Sequence, residues 1–135
     1  MKQFFLLITL IILTHSLVKS QPGEPAKSFS GHKEPILGIA QSANGKYILS
    51  GSDDNLGFLW NENGEIIDTI DVHLKSVNDV AFSPDNNRFI TAGSEGSFVI
   101  WNIDGTKVAT VPADKVYVKT ITYSNDGKFI LSGGG

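Results

Sequence analysis

Short apolar and β-branched runs alternate with turn-forming residues from about residue 36 onward. These runs lie near residues 36–40, 46–50, 57–61 and 66–70, then near 77–82, 88–92, 97–102 and 107–111, and finally near 117–123 and 128–132. No stretch of this region places its apolar residues with the 3.6-residue period of a helix. The pattern therefore predicts an all-β region with two sets of four strands and half of a third set.

The predicted strands are separated by pairs in which Asn or Asp precedes Gly. Such pairs occur at residues 44–45, 63–64, 104–105 and 126–127. They accept the positive φ angles that tight hairpins require. We therefore expect neighbouring strands to be antiparallel.

The strand pattern repeats with a period of 41 residues. Trp60 recurs as Trp101, and a threefold series at the same interval links Ser42, Ser83 and Ser124. Counting the residues between these landmarks suggests that the turn after Ser83 is one residue longer than the turn after Ser42. Because length changes confined to turns are typical of strand repeats, we interpret the units as repeated sheets.

The first 20 residues have the composition of a secretory signal peptide. Lys2 supplies the positive charge, residues 4–18 are mostly apolar, and small residues precede Gln21. We predict cleavage after Ser20, which leads to a secreted or periplasmic protein. The alternative is an uncleaved membrane anchor, although the apolar run is shorter than the about 20 residues that span a bilayer.

Charge limits the partners of the mature chain. Without residues 1–20, which contain Lys2, Lys19 and no acidic residue, nine basic and 14 acidic residues remain, a net charge of −5. Nucleic acids and anionic membranes bind through a surplus of Lys and Arg. We therefore expect no nucleic-acid partner and no stable membrane insertion after cleavage. The chain has no Cys, so packing alone must stabilise it.

The ordered motifs of each unit resemble those of the WD40-repeat β-propeller family. The first unit reads Ser-Gly-His at 30–32, Leu-Ser-Gly-Ser-Asp-Asp at 49–54 and Phe-Leu-Trp-Asn at 58–61. The second has Val-His at 72–73, Phe-Ser-Pro-Asp at 82–85, Thr-Ala-Gly-Ser-Glu at 91–95 and Val-Ile-Trp-Asn at 99–102. A third begins Tyr-Ser-Asn-Asp-Gly-Lys-Phe at 123–129. TolB-like periplasmic propellers share such turns, but the paired His and Trp positions favour WD40.

The resemblance covers residues 24–135 and implies a fold. It implies a partial WD40-type β-propeller with two full four-stranded antiparallel blades and half of a third, after an N-terminal signal helix. The predicted organisation is a signal peptide at 1–20, a linker or outer closing strand at 21–28, the first repeat at 29–70, the second at 71–111 and part of a third at 112–135.

Many blades of this family contain a buried hydrogen-bonded chain of His, Ser or Thr, Asp and Trp. The resemblance assigns this structural role to His32, Ser50, Asp54 and Trp60 in the first unit, and to His73, Thr91, Glu95 and Trp101 in the second. The chemistry fits, because an indole only donates, a hydroxyl donates and accepts, and an imidazole passes a bond to a carboxylate.

Several positions depart from the family pattern. Asn61 and Asn102 follow the Trp where the family usually has Asp, and Asp114 stands where a third His is expected. Glu95 is longer than Asp, and the residue count suggests that its turn is one residue shorter than that of Asp54. We therefore expect the second hydrogen-bonded chain to be the less regular one.

The number of units predicts an open structure. A propeller typically has 4–8 blades, each packed against its neighbours. Residues 24–30 could supply an outer strand for a last blade, the usual ring-closing arrangement in the family. Two hypotheses follow: the chain is a fragment of a longer protein, or copies self-assemble to complete a ring.

No group of residues predicts catalysis, a metal site or a cofactor. Ser30, His32 and Asp54 have the residue types of a nucleophilic triad but lack a Gly-x-Ser-x-Gly elbow. Since there is no Cys, zinc would depend on His32, His73 and carboxylates. The acidic turn at 53–55 lacks the Gly and distal Glu of an EF-hand. We therefore predict that the chain is not an enzyme.

The resemblance places the first strand of each unit innermost in the propeller. The loops before these inner strands carry the candidate contacts for a protein or peptide partner. Loops on a rigid scaffold commonly carry recognition, and the family uses the corresponding face. These candidates are Lys33, Glu34, Pro35, Leu74, Lys75, Lys115 and Tyr117.

The sequence thus favours an exported scaffold, or a fragment of one, that mediates protein–protein interaction. Two alternatives stay open. The chain is the non-catalytic propeller part of a larger secreted or periplasmic enzyme such as a hydrolase, or it is a truncated product without independent function.

Overall fold

The computed structural model describes residues 28–113 and 116–135, and within them the chain forms ten β-strands and no α-helix. The predicted signal peptide, Asp114 and Lys115 lie outside the described residues. The strands are β1 (Ile36–Gln41), β2 (Tyr47–Ser52), β3 (Gly57–Asn61), β4 (Ile66–Ile70), β5 (Val77–Phe82), β6 (Arg88–Gly93), β7 (Ser97–Asn102), β8 (Lys107–Pro112), β9 (Val118–Tyr123) and β10 (Ile130–Gly134).

The strands form three antiparallel sheets in chain order. The first sheet has the order β1-β2-β3-β4, the second β5-β6-β7-β8, and the third contains β9 and β10. We call them blade 1, blade 2 and half-blade 3. The prediction of two four-stranded antiparallel sheets and half of a third is confirmed.

The hairpin turns use glycine as predicted, but only at one position of each pair. Gly45, Gly64, Gly105 and Gly127 have φ angles of 74°, 82°, 84° and 71°, while the Asn or Asp before each of them does not enter the positive region. Each glycine N–H donates to the carbonyl three residues earlier, at 2.8–3.0 Å. The glycine closes the turn and redirects the chain into the next strand.

The 41-residue offset continues through the turns without any insertion. Gly45 N donates to Ser42 O at 2.9 Å, and Asn86 N donates to Ser83 O at 3.0 Å. Asn86 has a φ of 60° and takes the place of Gly45. The prediction of an extra residue after Ser83 is therefore wrong. Asn tolerates the left-handed region better than most residues, so the two turns have equal length despite different sequences.

The turn between the second and third strands of each blade also has the same length in both units. Asn55 N donates to Ser52 O, and Gly96 N donates to Gly93 O, both at 3.3 Å. The prediction that Glu95 lies in a shortened turn is wrong for the same reason, because Asn55 with a φ of 69° stands where blade 2 has glycine.

Consecutive sheets pack face to face along their first strands, which are β1, β5 and β9. At matched positions, Ile39 in blade 1 is 70% exposed, whereas Val80 and Ile121 are each 3% exposed. Val80 lies in the core cluster that joins blades 1 and 2, and Ile121 lies in the cluster that joins blade 2 to half-blade 3. Each sheet therefore covers one face of the sheet that follows it in the chain.

The first strands approach so closely that one position requires glycine. A Cβ atom on Gly38 would lie 2.7 Å from the Cα of Asp79 on the neighbouring strand. On the next strand pair, the Asp79 carboxylate accepts the backbone N–H of Ile121 at 2.8 Å and the hydroxyl of Thr120 at 2.9 Å. These contacts fix the spacing between consecutive sheets. Because β1, β5 and β9 meet at this side, we call them the inner strands.

Within the described part of the chain, no helix has the length and apolar character needed to cross a membrane.

Candidate functional site

A chain of side-chain hydrogen bonds runs through the interior of blade 1. Trp60 Nε1 donates to Ser50 Oγ at 2.9 Å, and His32 Nε2 lies 2.8 Å from the same oxygen. The other ring nitrogen, His32 Nδ1, lies 3.0 Å and 3.1 Å from the two carboxylate oxygens of Asp54. The four residues span the loop before β1, strands β2 and β3, and the turn between those strands, so the bonds tie these parts together.

Hydrogen bonds also set the charge state of Asp54. Burial opposes ionisation, but bonds from the backbone N–H of Lys33, from His32 and from the backbone N–H of Leu56 outweigh it. The pKa of Asp54 is therefore below its ordinary value. At neutral pH the carboxylate is ionised. In the tautomer of His32 with the proton on Nδ1, the ring donates to this carboxylate and Nε2 accepts the hydroxyl of Ser50.

Blade 2 contains the corresponding chain. Trp101 Nε1 donates to Thr91 Oγ1 at 3.1 Å, His73 Nε2 lies 2.8 Å from that oxygen, and His73 Nδ1 lies 2.5 Å from Glu95 Oε1. Ser97 Oγ also donates to Glu95 Oε1, at 2.9 Å. The other oxygen, Oε2, is buried and has no hydrogen-bond partner among the described residues. Burial opposes ionisation of Glu95, yet its hydrogen bonds, chiefly from His73, hold its pKa below the ordinary value.

A glycine makes room for the longer acid in blade 2. A Cβ atom on Gly93 would lie 2.2 Å from Glu95 Oε1 and 2.3 Å from Oε2. The matched residue in blade 1 is Ser52, and there the shorter Asp54 leaves space for the serine hydroxyl, which accepts the Asp54 N–H at 3.2 Å. The two blades thus hold alternative pairs, Ser with Asp and Gly with Glu, that bring a carboxylate to the same histidine position.

The bonds among Ser50, His32 and Asp54 follow the order of a catalytic triad, but the surroundings of the serine differ. Ser50 is 2% exposed, and its oxygen already accepts the indole N–H of Trp60. The third residue considered for a triad, Ser30, forms no bond to His32. The arrangement therefore supports packing and loop position, and it offers no nucleophile to solvent.

The loops that precede the inner strands gather at one end of the sheets, which we call the upper end. The β2–β3 turn meets the loop before β1, because Asp53 N donates to Pro35 O at 3.0 Å. In the same way Ser94 N donates to Ser76 O at 2.9 Å in blade 2, and the Ser76 hydroxyl donates to the Asp53 carboxylate across the two blades. One continuous surface of loops results.

The candidate contact residues that the structure describes all lie in these loops. Leu74 is 83% exposed and Tyr117 is 40% exposed. The other described candidates are also exposed, namely Lys33, Glu34, Pro35 and Lys75. Lys115 lies outside the described residues.

Tyr117 lines a groove of about 390 Å³ at the upper end. The other lining residues are Leu37, Asn78, Ser94 and Lys119. Sequence reasoning missed these four, because it considered the loops before the inner strands, whereas three of the four are the second residues of those strands and Ser94 lies in the β6–β7 turn. A signal was present, since Leu37, Asn78 and Lys119 occupy one position of the 41-residue period.

The groove combines an apolar wall with one cationic group. Asn78 is already engaged, since its amide donates to Val118 O at 2.7 Å and accepts the hydroxyl of Ser94 at 2.9 Å. Lys119 forms no ion pair within residues 28–113 and 116–135. The free groups of the groove are thus the Lys119 ammonium and the exposed surfaces of Leu37 and Tyr117.

Among the described residues, no group of three or more His, Cys, Asp or Glu side chains is placed to share a metal ion.

Comparison with known proteins agrees with this geometry. The family model described as WD domain, G-beta repeat, matches residues 23–61 and 64–102. No curated protein sequence matches the chain. Domains of WD40 repeats are generally non-catalytic scaffolds for protein interaction. Since the two matches cover more than half of the sequence and each ends at the residue after a buried Trp, the chain belongs to the WD40-repeat family.

Proposed function

We propose that this chain is an exported WD40 scaffold that binds a protein or peptide partner through the loops of its upper end. The observation that carries the proposal is the apolar surface of those loops. Four large apolar side chains are exposed there, and they are Val72 at 42%, Leu74 at 83%, Val116 at 80% and Tyr117 at 40%.

These side chains extend from a rigid framework. The loop of Val72 and Leu74 is tied to blade 2 by the buried hydrogen bonds of His73, and the loop of Val116 and Tyr117 is tied by the bond from Val116 N to Gly135 O at 3.1 Å. Because the framework is ordered before binding, little conformational entropy is lost when a partner docks. Exposed apolar and aromatic side chains on such loops are typical anchors of protein interfaces.

The groove suggests how a peptide would be held. An apolar side chain of the partner would lie against Leu37 and Tyr117, and a carboxylate would meet the ammonium group of Lys119. The N-terminal sequence supports the exported part of the proposal, because residues 1–20 have the composition of a signal peptide.

The test is capture of a partner from the extracytoplasmic fraction by the immobilised chain, repeated with Leu74→Asp and Tyr117→Ala. We expect each substitution to reduce capture at least about tenfold, as for an interface anchor. Val108→Asp is the matched control, because Val108 is 44% exposed on the outer strand of blade 2. Equal capture by all four forms would contradict the proposal, as would a loss with Val108→Asp alone.

A further inference from the structure

A second cavity opens at the other end of the sheets, which we call the lower end. It has a volume of about 400 Å³ and lies between the β5–β6 turn of blade 2 and the β9–β10 turn of half-blade 3. It is lined by Ser83, Pro84, Asp85, Asn87, Arg88, Asn102, Tyr123, Asp126 and Gly127. The size is within the range of small-ligand sites.

The repeat provides a matched corner, between blades 1 and 2, that is filled by apolar packing. Between blades 1 and 2, the matched positions hold Tyr47 and Phe82, and both pack against the apolar core cluster. Between blade 2 and half-blade 3 the same two positions hold Arg88 and Tyr123. The ring of Tyr123 packs against the second core cluster much as Phe82 packs against the first, so the exposed Arg88 in place of Tyr47 is the exchange that leaves the second corner open.

A bond between the turns is lost at the same place. In the first corner, Asn44 N donates to the side chain of Asn86 at 3.1 Å. The matched residues in the second corner are Asp85 and Gly127, and glycine has no side chain to accept such a bond. The two corners thus differ in three ways: the exposed Arg88 replaces the core-packed Tyr47, Tyr123 adds a hydroxyl to the ring found in Phe82, and Gly127 lacks the side chain by which Asn86 bonds the neighbouring turn.

Two polar groups of the cavity lack a partner among the described residues. The hydroxyl of Tyr123 is buried and forms no hydrogen bond with any described residue, although a buried polar group ordinarily has a partner. Burial raises the pKa of Tyr123, so the hydroxyl is protonated at neutral pH and able to donate. Arg88 forms no ion pair in the described parts of the chain.

The charges on the walls disfavour an anion, and the described residues hold no cluster of three acidic or histidine side chains that would bind a metal cation. The hydroxyl of Ser83 donates to Asp85 at 2.5 Å and that of Ser124 donates to Asp126 at 2.7 Å. These bonds hold the pKa of both acids below the ordinary value, so the two carboxylates are ionised and repel an anion.

A neutral ligand with many hydroxyl groups avoids this repulsion. Each hydroxyl donates one bond and accepts others, and the walls offer carboxylates, carboxamides and a guanidinium as matching partners. Apart from Pro84 and the ring of Tyr123 the lining residues are polar or glycine, so the cavity gives little apolar surface to anchor a peptide side chain. We propose that the lower cavity is a binding site for a saccharide unit, either free or attached to a partner.

The test is ligand-detected saturation-transfer NMR on the full chain with maltose, mannobiose and a high-mannose glycopeptide. We expect signal transfer to at least one of them, and the free sugars and the glycopeptide distinguish the two sources. Tyr123→Phe removes only the unpartnered hydroxyl and should weaken binding about fivefold, the effect of one hydrogen bond. Tyr117→Phe makes the same chemical change in the upper groove and should leave saccharide binding unchanged.

A second variant separates a loss of binding from a loss of folding. Arg88→Tyr places at the open corner the residue that closes the first one, so it should abolish saccharide binding without lowering the melting temperature. The proposal is overturned if no saccharide shows transfer, or if Arg88→Tyr binds as the wild type does. The proposal is also overturned if glutarate shows signal transfer that depends on Arg88 while the sugars show none. The same holds if triglycine shows signal transfer that depends on Tyr123 while the sugars show none. The site lies opposite the upper groove, so each proposal can fail alone.

Discussion

Blade 1 holds Ser52 with Asp54, whereas blade 2 holds Gly93 with Glu95 at the matched positions. This difference predicts a strong energetic coupling between residues 93 and 95. In Gly93→Ser the new Cβ atom would lie 2.2–2.3 Å from the Glu95 carboxylate oxygens. The carboxylate must move, although its bond to His73 Nδ1 is 2.5 Å long and that histidine side chain is fully buried. Gly93 does not have a positive φ, so the backbone itself accepts serine and the cost comes from this collision.

The magnitude follows from the bonds that are lost. A hydrogen bond to a charged group contributes about 1.5–3 kcal/mol, so Gly93→Ser should lower the free energy of unfolding by about that amount. Glu95→Asp should lower it by about 1–3 kcal/mol, because Gly93 lacks the hydroxyl that accepts the Asp54 N–H in blade 1, so the shorter acid is not held toward His73 and its bond weakens. The double variant restores the pair found in blade 1, and its cost should be smaller than that of either single change.

Urea denaturation of the wild type, both single variants and the double variant measures this coupling as a double-mutant cycle. We expect a favourable coupling of about 2 kcal/mol or more, in the range observed for residues in contact. Ser94→Ala with Glu95→Asp is the control pair, since Ser94 bonds to Asn78 and not to Glu95. The reasoning is refuted if the changes in unfolding free energy of Gly93→Ser and Glu95→Asp sum to that of the double variant within about 0.5 kcal/mol.

Three further predictions concern acid stability, a turn and the N-terminus. Because the pKa of Asp54 is lowered in the folded state, its contribution is present above the unfolded value of about 3.9 and is lost as the pH falls through the folded pKa. Urea denaturation at several pH values below 4 should therefore show that the free energy of unfolding falls less steeply with decreasing pH for Asp54→Asn than for the wild type. Equal slopes of free energy against pH would contradict this. Gly45→Ala should lower the unfolding free energy by about 1–2 kcal/mol, whereas Gly45→Asn should cost less because Asn86 occupies the matched turn; equal losses for both variants would be unexpected. N-terminal sequencing of the exported protein should begin at Gln21, and an intact Met1 would favour the anchor.

The sequence alone predicts the strands well, because their signals are local. Ten apolar runs separated by turn residues correspond to the ten observed strands, with small shifts such as 128–132 against Ile130–Gly134. The 41-residue period fixes which residues share a position. Both signals depend only on neighbouring residues and on spacing.

The errors arise where different residues perform one role. Asn86 replaces Gly45 in a turn, and reading the letters without the φ angles suggested an insertion. The exchange of Ser52 for Gly93 becomes meaningful only when the reach of Glu95 is known. Such compensations depend on distances between residues that the sequence does not reveal.

The lower cavity was beyond sequence reasoning for a similar reason, and the upper groove left only the periodic signal at Leu37, Asn78 and Lys119. Arg88 and Tyr123 appear ordinary until the packing of Tyr47 and Phe82 at the matched corner is known. Likewise, Lys119 becomes a groove residue only when adjacent inner strands bring it beside others. Interfaces between sheets therefore had to be observed before these sites could be found.

The central claim is that consecutive 41-residue units form neighbouring WD40 blades joined along their inner strands. Nuclear Overhauser spectroscopy of the folded chain tests it most directly. The account predicts a cross-peak between the α-protons of Gly38 and Asp79, whose strands are in backbone contact, and one between Asp79 and the amide proton of Ile121. If β5 shows contacts to β4 instead of β1, or if the Gly38 peak is absent while both sheets are folded, the arrangement described above is contradicted.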